Sequence, residues 1–101
     1  MAKTKLELEL SKLIDKNSAS EMEIMKRYLS LVDTYKKLDK SIEKNGVMIS
    51  VKNGNQKFLK ANPAVSEKVK VNAALMKLGE FFEKKRAEKS AEKGINLNEL
   101  Y

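Results

Sequence analysis

Chemistry in this chain would have to come from carboxylates and lysines, because its 101 residues include no Cys and no His. Their absence removes zinc fingers, thiol chemistry, disulfide scaffolds and the acid–base mechanisms that run on imidazole. The carboxylates are badly spaced for joint work. Glu7/Glu9 and Glu21/Glu23 are two residues apart, and side chains at that spacing diverge on a helix. Asp33 and Asp39, six apart, do not stack on one helix face. No Ser or Thr has an imidazole to activate it. Gly46 and Gly54 are too sparse for a phosphate-cradling loop. No catalytic residue, metal ligand or cofactor is expected.

The lysines do show a pattern. Lys and Arg number 21 against 14 Asp and Glu, a net charge of +7. Residues 57–93 hold ten bases and five acids, and Lys70, Lys77, Lys84 and Lys85 recur near heptad spacing, which would line one helix face. With Lys57, Lys60, Lys68 and Arg86 they make a candidate DNA-binding set, whose phosphate contacts would be sequence-independent and salt-sensitive. Glu67, Glu80, Glu83 and Glu88 sit among them, so an ordinary solvated face is the alternative.

Three helical stretches must position these side chains. The first runs from about Lys5 to Asp15, with Leu6, Leu10, Leu13 and Ile14 at helical spacing and Leu8 out of step. The second opens on a capping-box signature, either Ser20/Glu23 or Ser18/Glu21. Ile24, Tyr28, Leu31, Tyr35, Leu38 and Ile42 then recur at alternating steps of four and three, an apolar seam that Asn45-Gly46 ends. About 24 residues at ~1.5 Å rise make a rod of roughly 36 Å, which needs a partner helix from its own chain or another subunit. Those six residues are the candidate oligomerisation face. Tyr28 and Tyr35 are expected to be buried in the seam and not to stack on bases, and core or subunit contact is likewise favoured for Phe81 and Phe82.

Between two Asn-Gly pairs lies a short β-branched stretch, which predicts a small hairpin or extended loop near 46–56, with Val47, Ile49 and Val51 on one face. The third helix starts at Asn62-Pro63, a good N-cap followed by a residue that loses no needed hydrogen bond. Val65, Val69 and Met76, with Val71, Leu75, Leu78 and Phe82 on an adjoining row, make a wide apolar stripe. Gly79 either ends the packed part or permits close helix contact. The chain is thus expected to be mainly α, with a helical oligomerisation core over 1–82 and a charged helix extension and tail over 83–101. Within that tail Ile95, Leu97, Leu100 and Tyr101 form an apolar–polar peptide that would either dock on a larger partner or fray.

The acids at alternate positions in Leu6-Glu7-Leu8-Glu9 forbid a secretory apolar core, and the longest apolar run, Ala73-Ala74-Leu75-Met76, cannot span a bilayer. A cytoplasmic chain with an acidic partner is expected.

The stretch from Tyr28 to Phe82 resembles the P27-type phage terminase small subunits. The resemblance rests on the long helix with Tyr28 and Tyr35, Gly46, the strand-like Met48-Ile49-Ser50-Val51 and Lys52-Asn53-Gly54. It continues through the capped Asn62-Pro63-Ala64-Val65 helix and Leu78-Gly79. After Leu78-Gly79 the chain departs from the family pattern, lacking its Pro. The resemblance implies a non-enzymatic DNA-recognition subunit of a genome-packaging motor. Such a subunit forms homo-oligomeric rings, binds double-stranded DNA in the host cytoplasm and regulates the terminase large subunit, which carries the ATPase and nuclease. No recognisable helix-turn-helix is present, so DNA contact would come from a basic surface or flexible segment. The competing reading is a helical coiled-coil scaffold or regulatory interaction protein whose charge serves solubility alone.

Overall fold

The computed structural model describes residues 3–92. Its elements are α1 (Lys5–Leu13), α2 (Ala19–Asn45), β1 (Met48–Asn53), β2 (Gln56–Ala61) and α3 (Pro63–Glu92). The mainly α architecture matches expectation, with the two strands forming an antiparallel hairpin between the second and third helices. Two compact units divide the chain. One contains the described residues up to Leu29 and those from Met76 onward; the other is Ser30–Leu75.

The first unit holds the hydrophobic core. Leu10 and Ile14 of the α1 region, Met25 of α2 and Phe82 of α3 are buried together, with Leu6, Leu13, Met22, Ile24, Tyr28, Leu29 and Phe81 packed around them. Leu10 and Phe82 are each only 2% exposed, and burying side chains of this size contributes about 1.5–3 kcal/mol apiece. Phe82 meets Tyr28 and Phe81 edge-on, both at 5.1 Å between ring centres. Leu8, the residue out of helical step, is exposed.

Local hydrogen bonds set the ends of these helices. The Thr4 hydroxyl accepts from the Glu7 N–H at 3.1 Å, capping α1, which stops at Leu13, two residues short of the expected end. A tight turn follows: Asn17 N–H donates to Asp15 Oδ1 at 2.9 Å, and Ser18 N–H to the Asp15 carbonyl at 3.0 Å. Of the two candidate caps for α2, the structure uses Ser18, whose hydroxyl accepts from the Glu21 N–H at 3.3 Å. Glu21 does not close the usual capping box. Its carboxylate instead accepts from the Asp15 N–H at 3.0 Å, fastening the turn to the new helix.

The Ser30–Leu75 unit begins in the second half of α2. Gly46 ends that helix in the left-handed region (φ 82°), where a glycine has no Cβ to clash, and its N–H donates to the Ile42 carbonyl at 2.7 Å. The hairpin pairs Met48 with Ala61, Val51 with Phe58 and Asn53 with Gln56. Its two-residue loop, Gly54-Asn55, has positive φ at Gly54 alone (64°), as a type II′ turn requires. Ile49 and Val51 share a half-buried face as expected, while Val47 is exposed. The second strand falls beyond the span 46–56, because Gln-Lys-Phe-Leu-Lys-Ala has no apolar–polar alternation to announce it.

Asn62 starts α3. Its Oδ1 accepts from the Ala64 N–H at 3.0 Å, its Nδ2 donates to the Gly46 carbonyl at 2.9 Å, and its own N–H donates to the Val47 carbonyl at 2.8 Å. Along α3, Val65, Val71, Leu75 and Leu78 are half-buried and Phe82 is buried, but Val69 and Met76 are exposed. The stripe is therefore narrower than its sequence suggests. Helix continues through Gly79, where an added Cβ would lie 4.0 Å from the Tyr28 ring.

Candidate nucleic-acid interface

Exposure and ion pairing separate the eight candidate cations. In the Ser30–Leu75 unit, Lys57 and Lys60 are exposed on β2, on opposite faces of the hairpin, since Lys57 pairs with Lys52 and Lys60 with Ile49. Lys70 is exposed and reaches only Glu67, at 3.4 Å. Lys68 is different. It is half-buried, forms an ion pair with Asp39, and lies 5.1 Å from the centre of the Tyr35 ring. The hydrogen bond to Asp39 outweighs burial and holds its ammonium pKa above the ordinary lysine value.

In the other unit, Lys77 and Lys84 are exposed and have no ion-pair partner among the described residues. Lys85 and Arg86 instead join helices. Lys85 donates to Glu21 at 3.0 Å and lies 3.8 Å from Glu88. Arg86 bridges Glu83 and, at 3.3 Å, Glu9. Nearby, Lys89 donates to the Lys12 carbonyl. Glu21 receives both the Asp15 N–H and Lys85. These hold its carboxyl below the ordinary value, the backbone hydrogen bond being the larger cause. The Glu21 hydrogen bond raises the Lys85 pKa in turn. Thus Lys68, Lys85 and Arg86 serve ion pairs within the fold, while Lys57, Lys60, Lys70, Lys77 and Lys84 face solvent.

The six seam residues are all half-buried. Ile24 and Tyr28 pack on the core of the first unit. In the second, Tyr35 and Ile42 join Val47, Val65 and Val69 in lining an open groove of about 360 Å³. Ile95, Leu97, Leu100 and Tyr101 lie outside the described residues. Among the described residues no three His, Cys, Asp or Glu side chains gather as a metal would need, and no helix is long and apolar enough to cross a membrane.

One cation escaped the sequence reading. Lys52 sits directly across the hairpin from Lys57. A compositional signal marks it: from Lys44 to Ser66 the chain has four lysines and no Asp or Glu.

No curated protein and no solved structure matches the chain significantly. The family model described as phage terminase, small subunit, matches residues 9–83, well over half of the sequence, taking in α2, the hairpin and most of α3. The chain belongs to the phage terminase small subunit family.

Proposed function

We infer that this chain is the DNA-recognition and regulatory component of a phage genome-packaging motor. It is non-enzymatic, works in the host cytoplasm, and forms a homo-oligomeric ring that binds double-stranded DNA and the terminase large subunit. The family match over residues 9–83 carries this reading. Charge supports the DNA role: a net +7 and five outward lysines, repeated in every subunit, concentrate positive potential on the assembly. Burial supports assembly. The Ser30–Leu75 unit has no large apolar side chain that is fully buried, yet Val47, Met48, Phe58, Leu59 and Val69 are all exposed in it. Such a surface suits subunit contact. On this reading residues 1–82 are the oligomerisation core; of the seam, Ile24 and Tyr28 serve the chain's own core, and Leu31, Tyr35, Leu38 and Ile42 are left to contribute to subunit contact. Residues 83–101 are the extension, whose Ile95–Tyr101 end docks on the large subunit.

Light scattering after size exclusion and DNA titration at several salt concentrations test the reading. A mass several times 11.5 kDa is expected, with duplex affinity falling steeply as salt rises. A monomer at high concentration that ignores duplex DNA in dilute buffer overturns it. Truncation after Gly94 should abolish large-subunit binding; unchanged binding removes the docking assignment.

A further inference from the structure

The tip of the hairpin reads Lys52-Asn53-Gly54-Asn55-Gln56-Lys57. Apart from the turn glycine, every side chain there is an ammonium or a primary amide. All six residues are exposed. The register sets Lys52 directly opposite Lys57, and Asn53 opposite Gln56. Like charges directly opposite on a two-stranded ladder destabilise it. A single Glu in either place would have relieved the repulsion, but acids are missing from the whole segment 44–66. Nothing in the fold uses the pair, since neither lysine has an ion-pair partner among the described residues. The hairpin therefore carries an unfavourable local arrangement that a polyanion would relieve.

Chemistry and dimensions identify the polyanion. Lys52 and Lys57 occupy one face of the ribbon and Lys60 the other, so cations flank it on both sides. The amides of Asn53, Asn55 and Gln56 crowd the end between them. Amides pair with adenine edges in the major groove, while lysines neutralise phosphates. Two strands about 4.8 Å apart, with their side chains, fit a major groove about 12 Å wide and are too thick for a minor groove about 6 Å wide. We propose that the β1–β2 hairpin enters the major groove of duplex DNA tip first, with Lys52, Lys57 and Lys60 on the phosphates and Asn53, Asn55 and Gln56 at the base edges. Hairpin entry presupposes the DNA-recognition role proposed above and gives it a base-reading element that the lysines of α3 alone do not supply. Met48, at the root of the hairpin, stays outside the groove, while Phe58 and Leu59, exposed between Lys57 and Lys60, lie at its rim.

The full chain and a fluorescent mixed-sequence duplex test this. Lys52→Gln/Lys57→Gln keeps the long polar stems and removes the like-charge pair, so the fold is not endangered. It should flatten the salt dependence by close to two phosphate contacts and weaken binding at moderate salt by about tenfold or more. Asn53→Ala/Gln56→Ala should leave the salt slope intact but reduce discrimination between duplex sequences. Because the chain has no Cys, Asn55→Cys offers a unique labelling site, and its probe should respond to duplex and lose that response to a major-groove competitor. If the wild-type chain binds duplex and both double variants match it in affinity, salt slope and sequence preference, the hairpin inference falls while the DNA-recognition role stands. A label that responds to protein concentration and not to duplex assigns the tip to subunit contact and likewise overturns it. Wild-type protein that binds no duplex removes both.

Discussion

The side-chain amide of Asn62 donates to the Gly46 carbonyl at 2.9 Å while its oxygen caps α3 at the Ala64 N–H. One residue, 6% exposed, thus closes the end of α2 and opens α3, pinning both roots of the hairpin. Asn62→Ala removes the cap and leaves the Gly46 carbonyl without its partner, so a loss of about 1–2 kcal/mol is expected in chemical denaturation. Asn62→Asp separates the two contributions. It keeps the cap acceptor but turns a carboxylate oxygen toward the Gly46 carbonyl in a buried site, so any stability it loses beyond Asn62→Ala measures that repulsion.

Two glycines should respond oppositely to alanine. At Gly79 backbone φ is ordinary, and a Cβ would meet Tyr28 at a normal contact distance of 4.0 Å. Gly79→Ala is expected to raise the melting temperature, by up to about 1 kcal/mol of helix propensity. Gly46 has φ 82°, and Gly46→Ala should cost about 1–2 kcal/mol. Thermal melts followed by circular dichroism compare the two directly.

Acid should loosen the Glu21 contacts. Its folded carboxyl is held below the ordinary value by the Asp15 N–H and then by Lys85, so the unfolded chain takes up that proton first. The stabilisation is present above the unfolded pKa, roughly 4.3 for an unperturbed Glu, and is lost as pH falls through the folded one. Glu21→Gln should melt earlier at neutral pH and show a shallower decline below about pH 5. Lys68 and Lys85, whose pKa values are raised by Asp39 and Glu21, act on the alkaline side. Their contribution holds below the unfolded lysine pKa and disappears as pH climbs through the raised one.

Phe82 and Val69 should separate folding from assembly. Phe82→Ala empties a site that is 2% exposed, with an expected loss of about 3–5 kcal/mol. Val69, at 67% exposed, contributes little to the isolated chain. Val69→Glu should keep its helical circular dichroism but lower the mass seen by light scattering. Unchanged mass would place the subunit contact elsewhere.

Much of the fold was legible because its determinants are local. Leu10 and Ile14 repeat at helical spacing and are buried, and Asn62-Pro63 caps and opens α3. Asn45-Gly46 ends α2 because only glycine adopts that φ cheaply. Other features were hidden because distant residues decide them. Ser18, not Ser20, caps α2, and the Glu21 carboxylate reaches back across the turn to the Asp15 N–H. Lys85 and Arg86 look like free cations until helices bring Glu21 and Glu9 beside them, residues more than sixty positions away. Lys52 gains meaning only from the hairpin register.

The lopsided distribution of buried side chains has a kinetic side. With Leu10, Ile14, Met25 and Phe82 all in one unit, the backbone amides of Ser30–Leu75 should exchange with deuterium first. Whatever covers Val47, Leu59 and Val69 would slow that exchange, so protection there should grow with protein concentration. At low protein concentration this half of the described chain should also be cut faster by an added protease than the Phe82 unit.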